Sequence, residues 1–257
     1  MRFFFAFAAA AILAACSNDT FVTSDGGGGP DGGGGPDAAP PADAQPGDAC
    51  VGMALTCTGT CDDFESGMGA FTPNAQNTAS GSLSITTAEF VSCSHALQVD
   101  LDATQATLGR AQASFDKVGV VQSVATVMVD VWVWLPLEPG AYAALTVRGG
   151  TDMVSIHRTS ASEWRLSATA ASSDVTIDPL LHQWNHMTLK VTFTNSTGDV
   201  SLSYTTSNGT TTTTGFTDKT LESGGSIGDI GLDLGFLGTG TNEKMTGYYD
   251  NVSFNVQ

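Results

Sequence analysis

Basic residues are scarce in this sequence, and their scarcity excludes a large class of partners. The chain has 9 Lys and Arg against 26 Asp and Glu in 257 residues, which gives a net charge of −17. Nucleic-acid binding depends on clustered Lys and Arg that neutralise phosphates, and the sequence contains no such cluster. We therefore expect no nucleic-acid partner.

Long apolar runs are missing too. A membrane-crossing helix needs about 20 consecutive apolar residues, and no run in the sequence is that long. The run from Phe3 to Leu13 is shorter, follows one basic residue and ends in small residues before Cys16. This pattern is typical of a secretory signal peptide. We expect residues 1–16 to serve export and to take no part in the mature fold.

The segment Leu13-Ala14-Ala15-Cys16 resembles the lipobox of bacterial lipoproteins, in which the cysteine is lipidated and becomes the new N-terminus. The resemblance implies an exported protein held on a membrane by acyl chains, each buried methylene contributing about 0.8 kcal/mol. Ser17 in the next position resembles lipoproteins sent to the outer membrane, so we expect an outer-membrane or cell-surface location. The alternative is an ordinary signal peptide with a chance cysteine.

Bulky apolar residues are nearly absent from residues 17–49, where Asp-Gly-Gly-Gly-Gly-Pro occurs twice in tandem. Such a segment buries too little apolar surface to offset the entropy of ordering the chain. We expect a disordered tether that spans on the order of 30 Å. One domain, residues 50–257, remains.

The 3.6-residue apolar period of an amphipathic helix is absent from this domain, whereas period-two segments recur between turn residues. This pattern predicts an all-β sandwich or barrel. The clearest segments are 96–101, 184–193, 200–205, 230–236 and 248–256. In residues 127–135 valines fill one face, and Met128, Asp130, Trp132 and Trp134 share the other. That second face is either covered by another layer or forms a concave floor where rings meet a ligand.

Cysteine is infrequent, with four residues besides Cys16. In an exported chain, the even number left over favours two disulfides, with three pairings open. We favour Cys50 with Cys57 and Cys61 with Cys93. A zinc site is the alternative, and the compartment and the absence of tight paired C-x-x-C spacing disfavour it.

Five segments carry a resemblance to a known fold family, and they occur in the same order along the chain. They are Cys61–Gly67, Ser92–Val99, Gln183–Val191, Gly198–Leu202 and Tyr248–Phe254. They resemble the concanavalin A-like jelly rolls, including laminin G-like modules, MAM domains and several carbohydrate-binding modules. The resemblance implies a two-sheet antiparallel jelly-roll sandwich. It does not fix function, because this fold hosts lectins, glycanases, lyases and adhesive modules.

In such modules, the Phe-Glu pair of the first strand and the Asp of the last strand often flank a structural calcium. The resemblance thus implies calcium at Glu65 and Asp250. The residues agree, because the alternation of 248–256 places Asp250 at the edge of a buried face, where a charge needs a partner. Two carboxylates favour a hard cation, and Asp63 and a backbone carbonyl near Ser94 are further candidate ligands. The alternative is hydrogen bonding without metal.

Catalytic motifs are lacking. The Glu-x-Asp-x-x-Glu strand of laminarinase-type glycosidases has no match, and Asp229 and Asp233 would lie roughly 13 Å apart on one strand, so we expect both to face solvent. The Gly-x-Ser-x-Gly match at residues 224–228 leads into a strand instead of the helix that a nucleophile elbow needs. His182 and His186 are four apart, but a strand is expected there, so we do not predict a metal site.

Aromatic rings remain as candidate ligand contacts, because the C–H faces of sugars stack on Trp and Tyr. The candidates are Trp132, Trp134, Tyr142 and Trp164, with Arg148 and Arg158 as hydrogen-bond donors. We expect a non-catalytic, lectin-like domain that binds extracellular glycan or glycoprotein. The alternatives are a glycan hydrolase or lyase on the same fold, and a structural or adhesive envelope protein without a small ligand.

The lipid anchor gives the first testable prediction. Cys16→Ser removes the acylated atom, so the protein should no longer incorporate labelled fatty acid and should leave the membrane fraction. Ser17→Ala should keep both properties. A Cys16→Ser protein that stays in the membrane fraction would show that another feature holds it there.

Overall fold

A computed structural model describes the domain over residues 59–76, 81–91, 94–102, 109–117, 124–136, 141–150, 152–168, 174–194, 197–219, 229–239 and 244–257. The expected signal peptide, Cys16, the tether, the Gly-x-Ser-x-Gly match, and Cys50, Cys57 and Cys93 lie outside these residues. The proposed disulfide pairing therefore stays a prediction. None of the described residues belongs to a helix long and apolar enough to cross a membrane.

Two antiparallel sheets make up the described structure, which confirms the all-β sandwich prediction. Sheet A has the order β13-β12-β11-β6-β15-β4-β3, with β1 also paired to β15. Its strands are β1 (Thr60–Asp62), β3 (Gly81–Thr86), β4 (Ala96–Asp102), β6 (Val124–Trp134), β11 (Trp184–Thr194), β12 (Gly198–Thr205), β13 (Thr211–Lys219) and β15 (Lys244–Val256).

Sheet B has the order β10-β9-β8-β7-β14-β5-β2. Its strands are β2 (Thr72–Gln76), β5 (Gly109–Lys117), β7 (Ala141–Gly149), β8 (Asp152–Arg158), β9 (Trp164–Ala168), β10 (Val175–Ile177) and β14 (Ile230–Thr239). Many neighbours in each sheet are distant in sequence, because the chain passes repeatedly from one sheet to the other. This topology puts the two outer faces on opposite sides of one core.

Alternation along the strands explains the core. In β6 the alanine and valines at alternate positions are buried, and the residues between them are partly exposed. β11 pairs with β6 along its whole length and alternates in step with it. The buried faces of both sheets meet in one apolar cluster, as expected for strands with one wet face.

Two β-bulges lie side by side in sheet B. On β7 the register shifts between Ala143 and Leu145, and on β14 it shifts between Leu234 and Leu237. Gly235, inside the second bulge, has a φ of 118°, and a Cβ there would lie 2.3 Å from the carbonyl oxygen of Ala111. Only glycine fits this position without strain.

Tyr249 of β15 reaches across the core to both bulges. Its hydroxyl donates to the carbonyl oxygen of Ala144 at 2.7 Å and accepts a backbone hydrogen bond from Gly235. Burial raises the pKa of Tyr249 above its ordinary value, so the hydroxyl remains a donor. The hydroxyl of Tyr249, in sheet A, thus provides hydrogen-bond partners for two backbone groups at the bulges of sheet B.

A third irregularity, in β15, corrects the alternation predicted for residues 248–256. The register with β6 shifts between Asp250 and Ser253, and Asn251 has a φ of 48°. Asparagine tolerates this left-handed conformation better than most residues. Because the bulge changes the phase, Tyr248 faces outward with Trp134 whereas Val252 lies in the core.

The tyrosine link gives a stability prediction. Tyr249→Phe should lower the free energy of unfolding by roughly 1–3 kcal/mol, because it leaves buried backbone groups without their partner. The neighbouring Tyr248→Phe, on the outer face, should change it by less than about 0.5 kcal/mol. Urea unfolding of the variants measures both, and equal effects would contradict the assigned role.

Candidate functional site

The outer face of sheet B carries a continuous line of polar side chains, which we call the central row. It runs across five strands in direct register: Ser114 (β5), Asp233 (β14), Thr146 (β7), Ser155 (β8) and Ser167 (β9). Ser114 donates to Asp233 at 2.7 Å, and the hydroxyls of Thr146 and Ser155 lie 3.1 Å apart. Every member bears an oxygen, so the row is a track of hydrogen-bonding groups.

Several residues of this face are buried although they point away from the core. Thr146 is 4% exposed, Asp233 7%, and Gln112, the next outward residue along β5 from Ser114, 2%. Outward polar residues on a sheet are normally solvated. Here they shield one another, which restrains their side chains and fixes the direction of their polar atoms.

Arg148 of β7 ties two carboxylates together beside the central row. Its Nε and Nη2 donate to Asp233 at 2.8 and 3.0 Å, and Nη2 also donates to Asp116 at 2.6 Å. The guanidinium crosses Gly231, where a Cβ would lie 2.5 Å from Nη2. Burial would lower the pKa of Arg148, but the bonds to Asp233 and Asp116 outweigh it and raise the pKa. The prediction that Asp233 faces solvent is wrong, because this side chain is buried and bound by Arg148. Asp229 is exposed, as predicted.

Arg110 lies on the same face, two residues along β5 from Gln112, and pairs in register with Leu237. Burial lowers its pKa, with Arg148 adding to the effect and Asp233 opposing it. Arginine stays charged regardless. Its Nε is buried and has no hydrogen-bond partner within the described part of the chain. The side chain as a whole is partly exposed, so an acceptor from outside can reach the accessible part of the guanidinium.

His157 and Arg165 continue the face on β8 and β9, where they are direct partners. His157 Nδ1 lies 3.1 Å from the hydroxyl of Ser167, and burial lowers the pKa of the imidazole. His157 is therefore neutral at pH 7. Arg165 is bound by Glu163 at 2.7 Å and Asp174 at 3.2 Å. We call the outer side of sheet B, with the central row and these residues, the polar face.

The six predicted ligand contacts do not form one site. Arg148 lies on the polar face. Tyr142 and Trp164 lie in the core at 2% and 4% exposure, with their rings edge-to-face at 5.7 Å, and Arg158 is also buried. Tyr142 and Trp164 belong to the apolar cluster between the sheets, so core packing accounts for these two rings.

Trp132 and Trp134 lie on the opposite side of the molecule, on the outer face of sheet A. Both are partly exposed. Each indole is stacked by a histidine, Trp132 by His186 at 4.9 Å and Trp134 by His182 at 4.8 Å between ring centroids. His182 lies in the turn before β11 and His186 on β11, as expected of ordinary loop and strand histidines.

The predicted calcium ligands gather where β15 changes partner from β4 to β1. Glu65 accepts from the backbone N–H groups of Ser94 and His95 at 2.8 and 2.7 Å, and from the Ser94 hydroxyl at 2.9 Å. Burial would raise the pKa of Glu65, but these bonds and that of the His95 ring outweigh it and lower the pKa. Asp250, fully buried, accepts from Val91 of the same connection at 2.8 Å, and Asp63 accepts from the Glu65 N–H at 3.2 Å.

We call Glu65, Asp250, Asp63 and Ser94 the carboxylate junction. Two carboxylates and a hydroxyl beside one short connection offer the oxygen ligands that calcium uses. The contacts described come from N–H and O–H donors, so an ion would have to replace some of them. No group of three or more His, Cys, Asp or Glu side chains converges among the residues described.

Comparisons with known proteins support the fold. No family model matches the chain, and no curated protein matches it. Among solved structures, the chain is similar to "Cellulose induced protein, Cip1", with a TM-score of 0.53, 17% identity, and coverage of 76% of this chain and 96% of that one. The likeness is one of fold.

Two polysaccharide lyases show the same likeness. The alginate lyase of Aplysia kurodai gives a TM-score of 0.52 at 10% identity, covering 72% of this chain and 90% of that one. The endo-beta-1,4-glucuronan lyase of Trichoderma reesei gives 0.50 at 14% identity, covering 71% and 90%. At such identities the similarity extends to the jelly-roll sandwich and no further.

Proposed function

We propose that the domain binds a polysaccharide along the polar face of sheet B. The observation that carries the proposal is Arg110, a partly exposed arginine on this outer face whose Nε has no hydrogen-bond partner in the described part of the chain. The accessible part of its guanidinium can donate to a sugar hydroxyl or carboxylate.

The central row supports the same reading. Its hydroxyls and the Asp233 carboxylate hold fixed orientations through mutual hydrogen bonds, so little side-chain entropy is lost when a ligand binds. A line of oxygens across five strands suits an extended chain rich in hydroxyl groups. The similar folds named above include an alginate lyase and a glucuronan lyase, which is compatible with a polysaccharide partner.

We propose binding without turnover, displayed outside the cell on the lipid anchor expected at Cys16. The carboxylates of the face are engaged, since Asp233 and Asp116 share Arg148. The second candidate is a lyase or hydrolase on the same face. The neutral imidazole of His157 beside Arg165 favours it, because a neutral base next to a guanidinium suits proton abstraction near a carboxylate.

Arg110→Ala tests the proposal. It should weaken polysaccharide binding by about tenfold or more, because it removes a charged donor worth roughly 1.5–3 kcal/mol. Isothermal titration of the purified protein with alginate, glucuronan and neutral polysaccharides measures the affinity. Lys244→Ala, which removes an equal charge from an 80% exposed side chain on sheet A, is the matched control.

Unchanged affinity in Arg110→Ala, for every polysaccharide that binds, would remove the polar face from the proposal. Release of shorter products during the titration would favour the enzyme, and His157 would then be the first residue to replace.

Calcium at the carboxylate junction is a further proposal. If Glu65 contributes an oxygen ligand, calcium should raise the unfolding temperature over that in chelator, since a ligand stabilises the state it binds. Glu65→Gln should abolish the difference, whereas Glu163→Gln, on the far side of the molecule, should keep it. A wild-type protein that unfolds at the same temperature in both buffers would leave hydrogen bonding as the full role of these carboxylates.

A further inference from the structure

The outer face of sheet A carries a cluster that the polar face does not explain. Trp184, Trp134 and Tyr248 are direct neighbours across β11, β6 and β15. Trp132 lies two residues before Trp134, on the same side of β6. We call these four residues, with His182 and His186, the aromatic patch. Three of the four tryptophans in the chain are in it.

The rings pack on one another at the surface. Tyr248 meets Trp134 edge-on at 5.3 Å and approaches Trp184 at 6.5 Å. All four aromatic side chains are partly exposed. A row of indoles on an outward strand face gains less from burial than the same rings would in the core, so their position calls for a contact from outside.

Charge separates this patch from the polar face. The four described arginines all belong to strands of sheet B: Arg110, Arg148, Arg158 and Arg165. The patch is flanked by carboxylates, with Lys190 and His186 on the same face of β11. Asp130 lies 2.8 Å from His186 Nε2, a contact that raises the pKa of His186, and accepts from Thr188 at 2.8 Å. At the other end of the patch, burial raises the pKa of Tyr248 and the charges of Glu89 and Asp100 raise it further, so an anionic ligand would be repelled there.

We propose that the aromatic patch is a second saccharide-binding site, which takes uncharged sugar units. The C–H face of a neutral sugar stacks on the exposed indoles of Trp132 and Trp134. Its hydroxyls donate to the carboxylate of Asp130. Charge favours an uncharged occupant, because the carboxylates of Glu89 and Asp100 act on the Tyr248 end of the patch and oppose uronates there.

The second site does not rest on the first, and together they give the domain two ligands. The sites occupy outer faces of different sheets, with the core between them, so one bound chain does not exclude the other. A domain of this kind can link two polysaccharide chains, one on each outer face. Such linkage raises the apparent affinity for a mixed glycan surface above that of either site alone.

Nuclear magnetic resonance on the purified protein gives a test that needs no variant. The chain has four indole N–H groups, each with its own signal. Neutral oligosaccharides of glucose, mannose, xylose and galactose, each added to millimolar concentration, should include at least one that shifts the Trp132 and Trp134 signals and leaves that of buried Trp164 unchanged. If none shifts them, the proposal is overturned.

Variants then assign the contact. Trp132→Ala with Trp134→Ala should weaken binding of the neutral oligosaccharide by about tenfold or more, as expected for truncation of aromatic anchors. Met128→Ala, on the same face of β6 and 38% exposed, should leave it unchanged, as should Arg110→Ala. Neutral-sugar binding that persists in the folded double variant would overturn the proposal. Loss of polysaccharide binding in Arg110→Ala, with binding of the neutral oligosaccharide at the aromatic patch unchanged, would concern the polar face only.

Discussion

The hydroxyl of Tyr249 is the contact on which the outward surface of sheet B depends. It satisfies backbone groups in two neighbouring bulges, at Ala144 and Gly235. The bulge on β7 matters for the phase of that strand, because Ala143 and Thr146 both face outward although they are three residues apart. Regular alternation would send one of them inward. The bulge thus lets the central row share one face with Ala143 and its cross-strand partner His157.

Local pattern in the sequence predicts the strands well and the bulges poorly. The alternating segments at 96–101, 184–193 and 230–236 all lie in strands, because one wet and one dry face leave a direct trace in residue type. The bulge at Asp250 and Asn251 leaves none, since a one-residue insertion in the ladder is defined by the partner strand. The alternation predicted through it therefore placed Tyr248 and Val252 on the same face.

The candidate site was harder to predict, because pairing between distant strands decides which residues share a face. Trp132 and Trp164 both alternate with smaller residues, yet one lies on an outer face and the other in the core. Sequence reasoning missed Arg110 and a set of uncharged polar residues, namely Gln112, Ser114, Thr146, Ser155 and Ser167. Their signal was present as alternation in β5 and β8, but serine and threonine on an outward strand face are ordinary until register aligns them.

The pairing of β1 with β15 determines how the domain bears a mechanical load. Any pull on the chain ahead of Gly59 reaches the fold through β1, a strand of three residues that pairs with β15 in sheet A. Strands further into sheet A resist separation more strongly, because β6 and β11 are each eleven residues long and pair along their whole length. A load applied ahead of β1 would therefore be passed through β15 to the long β6–β11 pair, and both outer faces would stay assembled for as long as that pair holds.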